Sequence, residues 1–184
     1  HGLRYRIAFI QGYDFFTEQD VAIIYQTGLV EYSRKEQSAT EFKSNKYRNL
    51  SKHLFARFEW GDGEEKQTLH LANVHLRATA EKEDLRKKQC RLVHNWMKEK
   101  IARGENVMIL GDLNTEHAAG TYSKDTDMGV ISGRETETKD DDLTDLHTKL
   151  SKELQVTHMI GKAFDRVLVS SSMTVDDPNK KDIV

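Results

Sequence analysis

Three short polar groups in this sequence stand at the ends of apolar runs, where a strand would hold them rigidly and water could still reach them. They are Asn73-Val74-His75, Gly111-Asp112-Leu113-Asn114 and Phe164-Asp165. Asp112 and Asn114 stand two residues apart, so an extended backbone points both to one side. A carboxylate beside an amide oxygen offers hard ligands to Mg²⁺, or a base and an orienting dipole for an attacking water. The same pair could instead turn the chain through Asx hydrogen bonds. His75 could serve as a general acid or as a donor to a phosphoryl oxygen, or could be a neutral core histidine. Asp165 interrupts an apolar strand, and a buried carboxylate there needs either a structural arginine or a catalytic partner.

The elements that must position these residues are partly legible. Short β-rich runs are expected at 5–10 and 20–25, parted by a polar turn at Gly12, and at 29–32 after Thr27-Gly28. Residues 53–60 alternate with period two, Gly61-Asp62-Gly63 turns the chain, and 68–76 forms the next strand. The stretch 31–51 reads as an exposed loop. Leu85, Gln89, Leu92, Val93, Trp96, Met97 and Ile101 recur at helical spacing, which predicts a helix with Thr79 as N-cap and Arg103-Gly104 as its stop. Its surplus of basic side chains is either a solvated face or a face toward nucleic acid. A buried strand is expected at 106–111, a surface excursion at 115–138, a short helix opening at 143–147 with Asp145 as cap, and a last strand at 164–170. Such an order suggests a largely antiparallel α/β protein.

At 184 residues the chain is the size of one domain, and 37% hydrophobic content suffices for a core. No run approaches the roughly 18 apolar residues of a membrane span, and the first residues show no targeting pattern. The single cysteine, Cys90, excludes an internal disulfide and a cysteine-rich zinc site; it reads as a small core residue. A net charge of −2 argues against gripping nucleic acid by bulk charge, yet permits turnover of phosphates if acidic residues hold a metal. Asp140-Asp141-Asp142 with Glu135 and Glu137 lacks the spacing of an EF-hand and reads as a solvated acidic loop. In Asn49-Leu50-Ser51-Lys52-His53, Lys52 or His53 could reach a phosphate, or the segment is a plain entry to a strand.

Taken in order, Asp20-Val21-Ala22-Ile23-Ile24-Tyr25, Asn73-Val74-His75-Leu76, Gly111-Asp112-Leu113-Asn114 and Phe164-Asp165-Arg166-Val167-Leu168-Val169-Ser170 resemble the endonuclease/exonuclease/phosphatase superfamily, the deoxyribonuclease I-like fold. The resemblance implies a four-layered α/β/β/α sandwich with two mostly antiparallel sheets. It also implies hydrolysis of phosphate esters with Mg²⁺ or Mn²⁺. Carried over, Asp112 would orient or activate water near the metal, and Asn114 would hold that water or a phosphate oxygen. His75 would bond the phosphate, and Asp165 would sit behind the histidine to fix its orientation.

Family members normally carry an upstream strand ending in Asn, a metal-binding Glu on another, and a closing Ser-Asp-His segment. None has a counterpart here. The expectation is therefore a single domain over 1–184, truncated at both ends, monomeric, and of little or no activity on its own. A phosphodiesterase or nuclease leads. The rivals are a phosphatase of small molecules or lipid headgroups, and a non-catalytic binding domain.

Overall fold

A computed structural model describes residues 4–10, 20–34 and 53–174. Strands β1 (Tyr5–Ile10) and β2 (Val21–Gln26) form an antiparallel two-stranded sheet. The larger sheet has six strands in the order β3-β4-β5-β6-β8-β7: β3 (Glu31–Arg34), β4 (His53–Trp60), β5 (Gln67–His75), β6 (Asn106–Asp112), β7 (Leu143–Asp145) and β8 (Asp165–Ser170). Among the described residues two α-helices, α1 (Glu83–Ala102) and α2 (Asp127–Ile131), complete the core.

The alternation along β5 and β6 decides the layering. Ala72 and Val74, with Val107 and Ile109, face α1 and α2 and join Phe55, Cys90, Val93, Met97 and Ile131 in one cluster. Leu69, Leu71, Met108 and Leu110 face the other way, toward Ile23 and Tyr25 of β2. An Asn73 side-chain N–H donates to the Ala22 carbonyl at 3.0 Å, tying the two sheets together. The result is a helix layer, a large sheet and a small sheet: three layers of the expected sandwich among the described residues. All neighbouring strands are antiparallel except β5 and β6, which run parallel. A parallel pair needs a crossover, and the 20 residues of α1 supply it.

Several expectations shift. The helix starts at Glu83, and Thr79 instead precedes a 3₁₀ turn at Ala80–Lys82 with a φ of 79° and no cap bond. Its buried stripe is rotated: Leu85, Leu92 and Trp96 stay partly exposed, while Arg86 and His94 go inside beside Cys90, which is in the core as expected. Arg86 and His94 are tolerated there because each meets a carboxylate, Asp127 and Asp141. Asp141 is thus buried and paired, not part of a solvated acidic loop. The excursion 115–138 contains α2, whose five residues are all buried. Its periodicity is too short to read, but Thr126 caps it by accepting from the Gly129 N–H at 3.0 Å. Residues 143–145 form edge strand β7 rather than a helix start; Asp145 then caps the 3₁₀ turn Leu146–Lys149 through the His147 N–H. The third strand spans 31–34 rather than 29–32. Gly12, most of the expected loop at 31–51, and Asn49 to Lys52 lie outside the described residues; His53 is buried at the head of β4.

Candidate active site

Strand order brings the predicted residues together. His75 is the last residue of β5 and pairs in register with Asp112, the last residue of β6. Asp112 pairs in turn with Asp165, the first residue of β8. Residues directly opposite in a ladder share a face, so His75, Asp112 and Asp165 form one row across three strands. That face is the one turned toward the small sheet, at its rim.

His75 Nε2 lies 3.7 Å from Asp112 Oδ2, with the two side chains 21% and 32% exposed. The separation exceeds a hydrogen bond but suits an ion pair with a charged imidazole. Asp165 is exposed rather than buried, which removes the need for a partner that the sequence suggested. With β6 between them, the backbones of His75 and Asp165 stand two strand spacings apart, about 10 Å. The carboxylate beside His75 is therefore Asp112, not Asp165.

Asp112 and Asn114 make the chain turn that was one of the two readings of their sequence. Asp112 Oδ1 accepts from the Asn114 backbone N–H at 2.9 Å, an Asx turn, while Oδ2 points to His75. Asn114 adopts a φ of 48°, which asparagine tolerates, so the pair does not lie on an extended backbone. The Asn114 side chain is buried, and its Nδ2 donates to the Leu76 carbonyl at 3.1 Å. The Leu76 N–H donates to the Asp112 carbonyl at 2.8 Å, so the residue after His75 is held from both sides. Gly111 has a φ of 127°, and a Cβ there would overlap the Val74 carbonyl oxygen. Glycine is what lets β6 approach β5 closely enough to set the row.

One carboxylate and one amide oxygen suit the divalent cation that the sequence resemblance implies, because Mg²⁺ is commonly held by one or two protein oxygens, with water and substrate phosphate completing its shell. Further residues, missed in the sequence, pack behind this rim. Arg86 Nε donates to Asp127 Oδ2 at 2.7 Å, and Thr115 Oγ1 donates to Asp127 Oδ1 at 2.8 Å. Arg166 is sealed against Asp145 and donates to the His117 carbonyl at 3.1 Å. His147 is buried beside them; burial, then the Arg166 charge, lowers its pKa, partly opposed by Asp145 and Asp165. Glu83, His117 and Asp127 offer ligand atoms within 4.8 Å of one another. Their positions are 34 and 10 residues apart, so no local spacing signals them.

No family model matches the chain, and no curated protein is similar to it in sequence. Solved structures do resemble it. The human Nocturnin catalytic domain with bound sulfate superposes with a TM-score of 0.58 at 15% identity, over 91% of this chain and 61% of that one. A mannosyl-6-phosphatase of Bacteroides thetaiotaomicron gives 0.58 at 15% identity, over 91% and 63%. D. rerio TDP2 complexed with single-strand DNA product gives 0.52 at 17% identity, over 93% and 64%. The chain thus spans about three fifths of the structures it resembles. An endonuclease/exonuclease/phosphatase family protein of B. thetaiotaomicron matches at 0.56. The chain has the fold of these structures, the deoxyribonuclease I-like fold.

Proposed function

We propose that this protein hydrolyses phosphate esters with the help of a divalent cation, as a phosphodiesterase or nuclease. The observation that carries this reading is the row His75, Asp112, Asp165. Two carboxylates directly opposite on neighbouring strands repel, and a rim that keeps them open to solvent beside an imidazole is suited to a cation and a phosphate.

In this reading Asp112 and Asn114 would hold the cation, which when bound would supply charge neutralisation at the phosphoryl oxygens. Asp112 also orients a water for in-line attack at phosphorus and takes its proton. His75, beside Asp112, donates an N–H to a non-bridging oxygen as negative charge builds there. Asn114, anchored to Leu76, presents its amide oxygen to the water. Asp165 widens the negative potential that recruits the cation. The likeness to a TDP2 bound to single-strand DNA supports a nucleic-acid ester as substrate. The likeness to a mannosyl-6-phosphatase, at a TM-score of 0.58 against 0.52, favours, as second reading, a small phosphomonoester.

The test uses the purified protein, with Mg²⁺ or Mn²⁺, on plasmid DNA, bis-p-nitrophenyl phosphate and p-nitrophenyl phosphate. Cation-dependent turnover of the diesters, lost in Asp112→Ala, is expected. Turnover of the monoester alone selects the second reading. No turnover of any substrate with either cation overturns both.

A further inference from the structure

Three segments that no motif connects meet behind the rim: Glu83 in the first turn of α1, His117 beyond the Asx turn, and Asp127 at the start of α2. His117 Nε2 lies 3.1 Å from Glu83 Oε1, and a ligand atom of Asp127 falls within 4.8 Å of both. A tetrahedral zinc ion with bonds of about 2.0–2.2 Å needs ligand atoms roughly 3.3–3.5 Å apart. Glu83 is partly exposed, so its side chain has the freedom to close the remaining gap.

Asp127 is built as such a ligand would be. Its side chain is 2% exposed, and it accepts from Thr115 Oγ1 and the Met128 N–H on Oδ1 and from Arg86 Nε on Oδ2. A carboxylate has about four lone-pair positions, so these three bonds leave one. Hydrogen bonds of this kind orient metal ligands.

A second observation is independent of the cluster's geometry. Nη2 of the same Arg86 guanidinium, in a side chain 0% exposed, has no hydrogen-bond partner among the described residues. A buried charged donor without an acceptor is costly, and an oxygen bound next to Asp127 would satisfy it. Two carboxylates and one guanidinium leave a single negative charge when His117 is neutral. A divalent cation carrying a hydroxide cancels it.

We propose that Glu83, His117 and Asp127 bind a zinc ion whose fourth ligand, water or hydroxide, accepts from Arg86 Nη2. Imidazole with carboxylate suits Zn²⁺ rather than Mg²⁺, so this site is chemically distinct from the rim at Asp112 and Asn114. Its role is to fasten the loop that follows Asn114 onto α1, with Arg166 already holding the His117 carbonyl.

The experiment is calorimetric titration of Zn²⁺ into metal-free protein, with Co²⁺ absorption as a readout of tetrahedral geometry. One equivalent of Zn²⁺ is expected to bind, weakened roughly 100-fold or more by His117→Ala and by Glu83→Gln, and retained in Asp112→Asn. Should His117→Ala fail to fold by circular dichroism, Glu83→Gln on the half-exposed first turn carries the test. Absence of one-equivalent binding, binding unchanged in the folded variants, or binding lost in Asp112→Asn overturns the proposal. None of these readouts uses catalysis, so failure of hydrolysis would not mimic failure of the zinc site.

Discussion

Consecutive residues of β8 have opposite fates. Arg166 turns to the helix side of the sheet, where it and Asp145 are both 0% exposed and sealed against each other. Asp165, one residue earlier, turns to the other side and stands in solvent beside Asp112. The helix side holds two more such pairs, Arg86 with Asp127 and His94 with Asp141. At the rim, His75 and Asp112 face each other across 3.7 Å and remain open. Charges on the first side sit in buried ion pairs that are costly to break. Charges on the second keep lone pairs and protons available, which is what chemistry requires.

The sharpest break of this contrast is Asp145→Ala. It strands the Arg166 guanidinium without its carboxylate, and urea denaturation should show a loss of about 3–5 kcal/mol. A loss below about 1 kcal/mol would mean that the buried pair is not what separates the two sides. Asp112→Ala should do the reverse. Stability should fall by only about 1 kcal/mol, the worth of one Asx bond, while kcat on a phosphodiester falls about 100- to 1,000-fold.

A third measurement concerns pH. Burial lowers the His147 pKa below 6.5, so between its native value and 6.5 the unfolded chain binds a proton that the folded chain refuses. The contribution is fully present above pH 6.5 and lost as pH falls below it. The melting temperature should therefore drop from pH 8 to pH 5, and His147→Gln should flatten part of that slope. An unchanged slope would contradict the burial argument. The smallest effect is expected for Lys162→Ala. Its 3.0 Å bridge to Glu116 joins two partly exposed side chains, and removal should cost less than about 0.5 kcal/mol. A larger loss would show that the loop ahead of Asp165 is held more tightly than an exposed ion pair allows.

Much of the local structure was legible before any coordinates. The run at 53–60 and the long helix carry a period over enough residues to be read, the run at 5–10 is rich in β-formers, and 106–111 is continuously apolar. The elements that escaped, α2 and β7, have five and three residues, too few for a period to show. The helix stripe was misread at Arg86 and His94 because a polar residue is assumed to face water. Only a distant carboxylate, at 127 or 141, makes its burial tolerable.

The order of residues by itself determined most of the strands, the long helix and the four residues worth suspecting. It could not determine that β6 would lie between β5 and β8, nor the register that aligns His75, Asp112 and Asp165. Those depend on pairings between strands tens of residues apart. Nor could it place Asp165 in solvent and Asp127 in the interior, since both are acids in short apolar surroundings. Burial belongs to the packed whole, in which each charge is sealed or exposed by side chains remote in the chain.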